Sequence, residues 1–127
     1  MEKPGKHLLV IEDDPVLRNA LALYLERKGY RVDAATDGRA ALEWLARAAR
    51  PDLIILDLMM LEMTGMEFRE QQRYDPALAT IPVIVLSAAS DIARKADVMG
   101  DVVYLQKPVD HDRLLAEVER LTGSRSS

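Results

Sequence analysis

Short runs of apolar residues alternate along the chain with longer segments in which apolar residues recur at helical spacing. The short runs predict strands and the longer segments predict helices. Strands and helices that alternate in this way are typical of a parallel sheet covered by helices on both faces. The pattern therefore predicts an α/β fold with a doubly wound, five-stranded parallel sheet.

The predicted strands differ in how completely they are covered. Residues 7–11 form a nearly continuous apolar run, as in strands buried on both faces, so we expect an inner position in the sheet. Residues 31–35 alternate polar and apolar side chains, and an edge position suits them. The remaining strands are predicted at 53–57, 83–87 and 101–105.

The helix boundaries carry their own signals. Asp14 and Pro15 have the residue preferences of an N-cap and a first helical position, and Gly29 ends the first helix. The turn at Asp37 and Gly38 leads into a second helix. Further helices are predicted from residue 65 to about 74, at 91–99, and at 110–121 with Gly123 closing the last one.

Length and composition limit the possible functions. At 127 residues the chain suits one domain, predicted at 7–122 between flexible termini at 1–6 and 123–127. No apolar stretch approaches the roughly 18 residues of a membrane-spanning helix, and no signal-peptide segment is recognisable. The absence of cysteine excludes disulfides and thiolate catalysis. A net charge of −4 gives no reason to expect nucleic-acid binding. We expect a cytoplasmic protein without membrane contact.

Polar residues stand at the carboxyl ends of the predicted strands, where doubly wound sheets bind their ligands. Glu12 and Asp13 follow the first strand, and Asp57 ends the third. Ser87 ends the fourth strand and Lys107 follows the fifth. Close carboxylates repel by about 4 kcal/mol per pair at an effective dielectric constant of 20. We therefore expect a hard divalent cation such as Mg²⁺ among the carboxylates, with Lys107 adding a positive charge.

Each of these residues, taken alone, also has a simpler interpretation. Asp14 beside Pro15 is most simply a helix cap. A single Asp after an apolar strand, such as Asp57, is more often a turn or cap residue. Ser87 could bond local backbone, Lys107 could be a solvated charge, and Tyr104 could be ordinary sheet packing. Only their combination points to a site.

That combination resembles the receiver domains of response regulators. Its order and spacing are similar to that family's acidic pair, phosphoacceptor aspartate, hydroxyl switch and aromatic-to-Lys-Pro element over about residues 7–121. The motifs are Ile11-Glu12-Asp13-Asp14-Pro15, Leu56-Asp57-Leu58-Met59-Met60 with Gly65, Ser87-Ala88, and Tyr104-Leu105-Gln106-Lys107-Pro108. The resemblance implies a flavodoxin-like strand order, 2-1-3-4-5.

The resemblance also implies a role for each matched residue. Asp57 is the implied phosphoacceptor, and the implied cofactor is Mg²⁺, with Mn²⁺ as an alternative. The other implied roles are metal binding by Asp13 directly, by Glu12 through water and by the Met59 backbone carbonyl, phosphoryl binding by Ser87 and Lys107, switching by Tyr104, and a cis peptide at Lys107-Pro108.

The implied function is a signalling switch that accepts a phosphoryl group from a sensor histidine kinase or a histidine phosphotransfer protein. Such a domain is not an enzyme beyond its own phosphorylation and slow dephosphorylation. Its output would pass to a downstream protein or to a further output domain. A homodimer through the face of the fourth and fifth helices is a further expectation.

Three other functions compete with this one. A phosphohydrolase with an aspartate nucleophile needs a second acid two residues on, and that position is Met59. A degenerate receiver that only binds partners would not need the complete set of Glu12, Asp13, Asp57, Ser87 and Lys107. Nucleotide binding is disfavoured because no glycine-rich loop follows the first strand.

Overall fold

A parallel sheet of five strands forms the centre of the protein, in the order β2-β1-β3-β4-β5. The computed structural model describes residues 5–47, 50–57, 65–87 and 102–123. The predicted fold class and strand order are both confirmed. The strands are β1 (His7–Ile11), β2 (Arg31–Ala35), β3 (Leu53–Asp57), β4 (Val83–Ser87) and β5 (Val103–Gln106).

Burial follows the strand order. Every residue of β1, β3 and β4 is buried, because these strands have a neighbour on each side and helices above and below. β2 lies at an edge and has a mixed pattern of exposed and buried positions, as its alternating sequence predicts. The middle of the sheet therefore lies at β3, whose last residue is Asp57.

Helices cover both faces and begin and end at the predicted signals. Asp14 caps the first helix by accepting the N–H of Val16, and Asp110 caps the last helix in the same way. Gly123 ends the last helix in the left-handed conformation, with φ of 68°, which glycine adopts without steric cost. The helices of the described residues are α1 (Pro15–Arg27), α2 (Gly38–Arg47), α3 (Gly65–Tyr74) and α4 (His111–Thr122).

The sheet separates two apolar layers. One layer joins alternate strand residues to α2 and α3, with Ala41, Leu45 and Phe68 as its buried helix residues. The other joins the intervening strand residues to α1 and α4, through Leu21, Leu25, Leu114 and Val118. Each strand therefore contributes to both layers, as the alternation of side chains along a strand requires.

The bounds of β5 and of the last helix differ from the prediction, and two predicted features lie outside the described residues. β5 begins at Val103 and not at 101, and α4 spans His111–Thr122 and not 110–121, because Asp110 is its N-cap. β5 ends at Gln106, one residue later than its apolar pattern predicts. Gln106 is the register partner of Ser87, the last residue of β4, so the parallel pairing extends to it. Backbone pairing needs no apolar side chain, and the apolar pattern therefore ends one residue before the strand does. The helix predicted at 91–99 and the Met59 carbonyl fall outside these ranges. Among the described residues, no helix is long and apolar enough to cross a membrane.

Candidate functional site

Asp57 is a buried carboxylate at the carboxyl end of the middle strand. Its side chain is 3% exposed, and its Oδ1 accepts a hydrogen bond from the Lys107 ammonium at 2.9 Å. Lys107 directly follows β5, and its backbone N–H donates to the Ser87 carbonyl at 2.9 Å. The peptide bond from Lys107 to Pro108 is cis. Two strand ends thus bring a cation and a buried anion together across 50 residues of sequence.

Glu12 and Asp13 approach Asp57 from the end of β1. The three residues each offer one carboxylate oxygen, and these oxygens lie within 4.8 Å of one another. Glu12 is 2% exposed, and its backbone N–H donates to the Ala35 carbonyl at 3.1 Å. The parallel register of β1 and β3 aligns their carboxyl ends, so the acidic pair lies beside Asp57.

The carboxyl group of Glu12 is poorly solvated in this position. Its Oε2 accepts the Asp14 N–H at 3.2 Å, whereas Oε1 is buried without a hydrogen-bond partner among the described residues. Burial, followed by the neighbouring Asp57 carboxyl, raises the pKa of Glu12 from its ordinary value to about 8. The ionised form of Glu12 therefore needs a cation that the protein side chains do not fully supply.

The donor set suits a hard divalent cation. All three side chains offer oxygen atoms, which Mg²⁺ prefers, and the buried Glu12 Oε1 can accept a metal-bound water. Among the described residues, this is the one group of three or more carboxylate or imidazole side chains whose spacing could hold a metal. Glu12, Asp13 and Asp57 thus fit the metal expected from the sequence.

Ser87 and Tyr104 lie on neighbouring strands beside this cluster. Ser87 is 1% exposed and follows Leu86, the register partner of Asp57. Tyr104 pairs in register with Val85, is half-buried, and packs against the layer that also contains Val85. Side chains two residues apart on a strand share a face, so Ser87 projects toward the same layer as Tyr104.

One residue of this site was not foreseen from the sequence. Arg18, in α1, donates from Nη1 to the Glu12 carbonyl at 2.9 Å and lies 3.5 Å from the Asp13 carbonyl. The available signal was a basic residue one helical turn after the Asp14 cap, on the helix that follows the acidic pair. Basic residues are common in helices, so this signal alone identifies nothing.

The comparison with known families decides the identity of the chain. A family model described as the response regulator receiver domain matches residues 8–119. The chain belongs to this family. Receiver domains of response regulators act in two-component systems, where phosphorylation is the switch.

Similar proteins agree with this assignment. The chain is 38% identical over 116 residues to the DNA-binding dual master transcriptional regulator RpaA of Synechocystis, covering 90% of this chain and 48% of RpaA. It is 42% identical over 120 residues to the transcriptional regulatory protein GlrR of Escherichia coli, covering 92% of this chain and 26% of GlrR. This receiver domain thus spans half or less of the length of these relatives.

A solved structure shares the fold closely. The signal receiver domain of a signal transduction histidine kinase from Syntrophus aciditrophicus superposes with a TM-score of 0.86 at 34% identity, covering 94% of this chain and 91% of that one. The receiver fold therefore accounts for nearly the whole chain.

Proposed function

We propose that Asp57 is the phosphoacceptor of this receiver domain and takes its phosphoryl group from a sensor histidine kinase or a histidine phosphotransfer protein. The observation that carries the proposal is the buried Asp57 carboxylate, bonded to the Lys107 ammonium and flanked by Glu12 and Asp13. A buried anion with this surrounding is poorly explained as a turn or cap residue. Output passes to a downstream protein or to a further domain.

The transfer itself places few chemical demands on the protein. A carboxylate oxygen of Asp57 attacks phosphorus, a P–O bond forms, and the P–N bond of a phosphohistidine donor breaks. The electron pair of the broken bond stays on the imidazole nitrogen. Phosphoryl transfer depends mainly on positioning and on neutralising the charge of the equatorial oxygens. Lys107 is close enough to neutralise one oxygen, and Ser87 can donate a hydrogen bond to another.

Glu12, Asp13 and Asp57 would hold Mg²⁺ in this proposal, with Glu12 acting through water and the Met59 carbonyl, outside the described residues, as a further ligand. The ion would neutralise charge on the phosphoryl group and on the carboxylates together. Asp13 is half-buried and remains accessible for direct coordination, whereas the buried Oε1 of Glu12 suits a water-mediated contact.

In this proposal, Ser87 and Tyr104 couple phosphorylation of Asp57 to a conformational change elsewhere in the domain. The Ser87 hydroxyl moves toward the phosphoryl group on Asp57, and Tyr104 turns further into the sheet layer that it already contacts. The position of the two side chains on one face of adjacent strands supports this coupling. A homodimer through the segment 91–99 and α4 remains a prediction, because that segment lies outside the described residues.

Phosphorylation by a small phosphodonor tests the assignment of Asp57. Wild-type protein incubated with acetyl phosphate and Mg²⁺ should gain the mass of one phosphoryl group, and Asp57→Asn should gain none. Asp52→Asn is the matched control, because Asp52 lies just before the other end of the same strand and accepts a hydrogen bond from the His7 N–H. Excess chelator should abolish the adduct in the wild type.

The same measurement separates the competing functions. Continued release of phosphate without a stable adduct would indicate a phosphohydrolase, and no adduct on the wild type would indicate a degenerate receiver. An undiminished adduct on Asp57→Asn would place the acceptor elsewhere.

A further inference from the structure

Arg18 is the basic residue closest in sequence to the acidic pair, and it bonds the backbone of that pair. Its Nη1 donates to the Glu12 carbonyl at 2.9 Å and approaches the Asp13 carbonyl at 3.5 Å. We infer that Arg18 is a positioning residue: it fixes the Glu12 and Asp13 peptides so that their carboxylates face the metal and Asp57. The inference rests on the proposed function and extends it to a residue that touches neither metal nor phosphoryl group.

The Glu12 residue is held from three directions. Its N–H donates to Ala35 of β2 at 3.1 Å, and its side-chain Oε2 accepts the Asp14 N–H at 3.2 Å. Arg18 supplies the third bond, to the carbonyl, and is the only one of the three to reach it from the body of α1. Without Arg18, the Glu12 carbonyl loses this hydrogen bond from α1.

Helix stability alone does not explain an arginine at this position. Arg18 is the fourth residue of α1, and cations near a helix N-terminus are disfavoured by the partial positive charge of the unpaired N–H groups. The N-cap Asp14, four residues before Arg18, offsets this cost in part, and the first turn of α1 contains no further acidic residue. The half-buried Arg18 side chain is instead bonded to the turn after β1.

Mg²⁺ affinity, measured by amide chemical shifts during a titration, tests this role. Arg18→Met keeps an unbranched aliphatic side chain and removes the donors, and it should weaken Mg²⁺ binding about tenfold, as loss of a residue that orients metal ligands does. Arg27→Met is the matched control on the last turn of the same helix and should bind Mg²⁺ like the wild type. Arg18→Lys, which restores one cationic donor, should recover most of the affinity.

Amide hydrogen exchange supplies a second readout that a general loss of stability would not reproduce. In Arg18→Met, protection of the Glu12 amide should fall while that of Leu9 and Val10, in the same strand, is retained. If Arg18→Met does not fold, Arg18→Gln replaces it in the test. Its side chain is shorter and uncharged, so it should also bind Mg²⁺ about tenfold more weakly than the wild type.

The outcomes distinguish this inference from the proposed function. Wild-type protein that binds Mg²⁺ and is phosphorylated, with Arg18→Met binding Mg²⁺ equally well, would overturn the role of Arg18 alone. Equal weakening in Arg18→Met and Arg27→Met would overturn it as well. Wild-type protein that neither binds Mg²⁺ nor forms an adduct would overturn both.

Discussion

The carboxyl group of Glu12 is buried and only partly hydrogen-bonded. It is buried beside Asp57, and one of its oxygens has no hydrogen-bond partner among the described residues. Burial is the main reason that the pKa of Glu12 rises to about 8. In the absence of a divalent metal, Glu12 is therefore neutral between about pH 4.5 and 8, where ordinary glutamates are ionised.

This raised pKa makes the stability of the metal-free protein depend on pH. Because the folded pKa of about 8 lies above the ordinary 4.5, the stability contributed by neutral Glu12 is fully present below 4.5 and is lost as the pH rises through 8. Glu12→Gln removes this dependence. Relative to that variant, the wild type should lose up to about 5 kcal/mol of unfolding free energy across this range in urea titrations. Glu26→Gln, at an exposed position on α1, should leave the profile unchanged; parallel profiles for wild type and Glu12→Gln would contradict the prediction.

The contact between Lys107 and Asp57 predicts a coupling that a double-mutant cycle can measure. Asp57 is almost fully buried, so Lys107→Met removes the cation that bonds a buried carboxylate and should lower the unfolding free energy by about 1 to 3 kcal/mol. This loss of unfolding free energy is smaller than that expected for a fully buried ion pair, because Lys107 is one-third exposed. In the Asp57→Asn background the same substitution should cost much less. Equal losses in both backgrounds would mean that the two residues are not coupled.

The sequence predicted the members of the site, but not their environments. Glu12, Asp13 and Asp57 could be found because parallel strands place their carboxyl ends at one edge, a property of topology alone. The unpaired oxygen of Glu12 and the bond from Arg18 depend on side-chain directions within the turn after β1. A pattern of residue types contains no information on those directions.

Between α3 and β4, a single buried side chain organises the connecting turn. Gln72 is fully buried, and its Nε2 donates to the Leu78 and Ile81 carbonyls at 2.9 and 3.1 Å. Its Oε1 accepts from Arg69 at 2.8 Å. The side-chain amide of Gln72 thus links the turn before β4 to α3.

Removing the side-chain amide of Gln72 should destabilise the domain without changing the candidate site around Asp57. Gln72→Leu has a similar volume but removes the bond to the buried Ile81 carbonyl, while the Leu78 carbonyl keeps its bond from the Ile81 N–H at 3.1 Å. The unfolding free energy should therefore fall by about 1 to 3 kcal/mol. Gln71→Leu, at the exposed neighbouring position, should change it by less than about 0.5 kcal/mol. Urea unfolding of the two variants gives the comparison, and similar values for both would show that the amide is dispensable.

Strands and helices were predicted well where an apolar pattern and a boundary residue agree. α1 begins after Asp14, and this cap was predicted because cap and first-turn preferences are local. Asp110 was predicted as the first residue of the last helix and is its N-cap instead. The end of β5 was misplaced by one residue because Gln106 is paired by its partner strand and not by its own side chain. Gln72 looked like any polar helix residue.

Across the whole molecule, phosphorylation should change the amide chemical shifts of residues far from Asp57 on the β5 side of the sheet and not on the β2 side. If Ser87 and Tyr104 are coupled, amide shifts on adding acetyl phosphate should extend to Tyr104 and its β5 neighbours, while β2 residues such as Val32 change little. The Ser87→Ala variant should keep the changes near Asp57 and lose those at Tyr104. Changes confined to the neighbours of Asp57 in the wild type would contradict the coupling.

The middle position of β3 determines which parts of the protein can respond. Ladders to β1 and β4 hold this strand on both sides, as far as Leu56 on the β1 side and Asp57 on the β4 side. If Asp57 is the phosphoacceptor, we therefore expect its backbone to stay in place and its surroundings to accommodate the added volume and charge. Ser87 ends β4 and Lys107 directly follows β5, so both lie on one side of β3. If Asp57 is the acceptor, strand order predicts a domain with a polarity, in which β1 and β3 stay stationary and the response spreads toward the β5 edge.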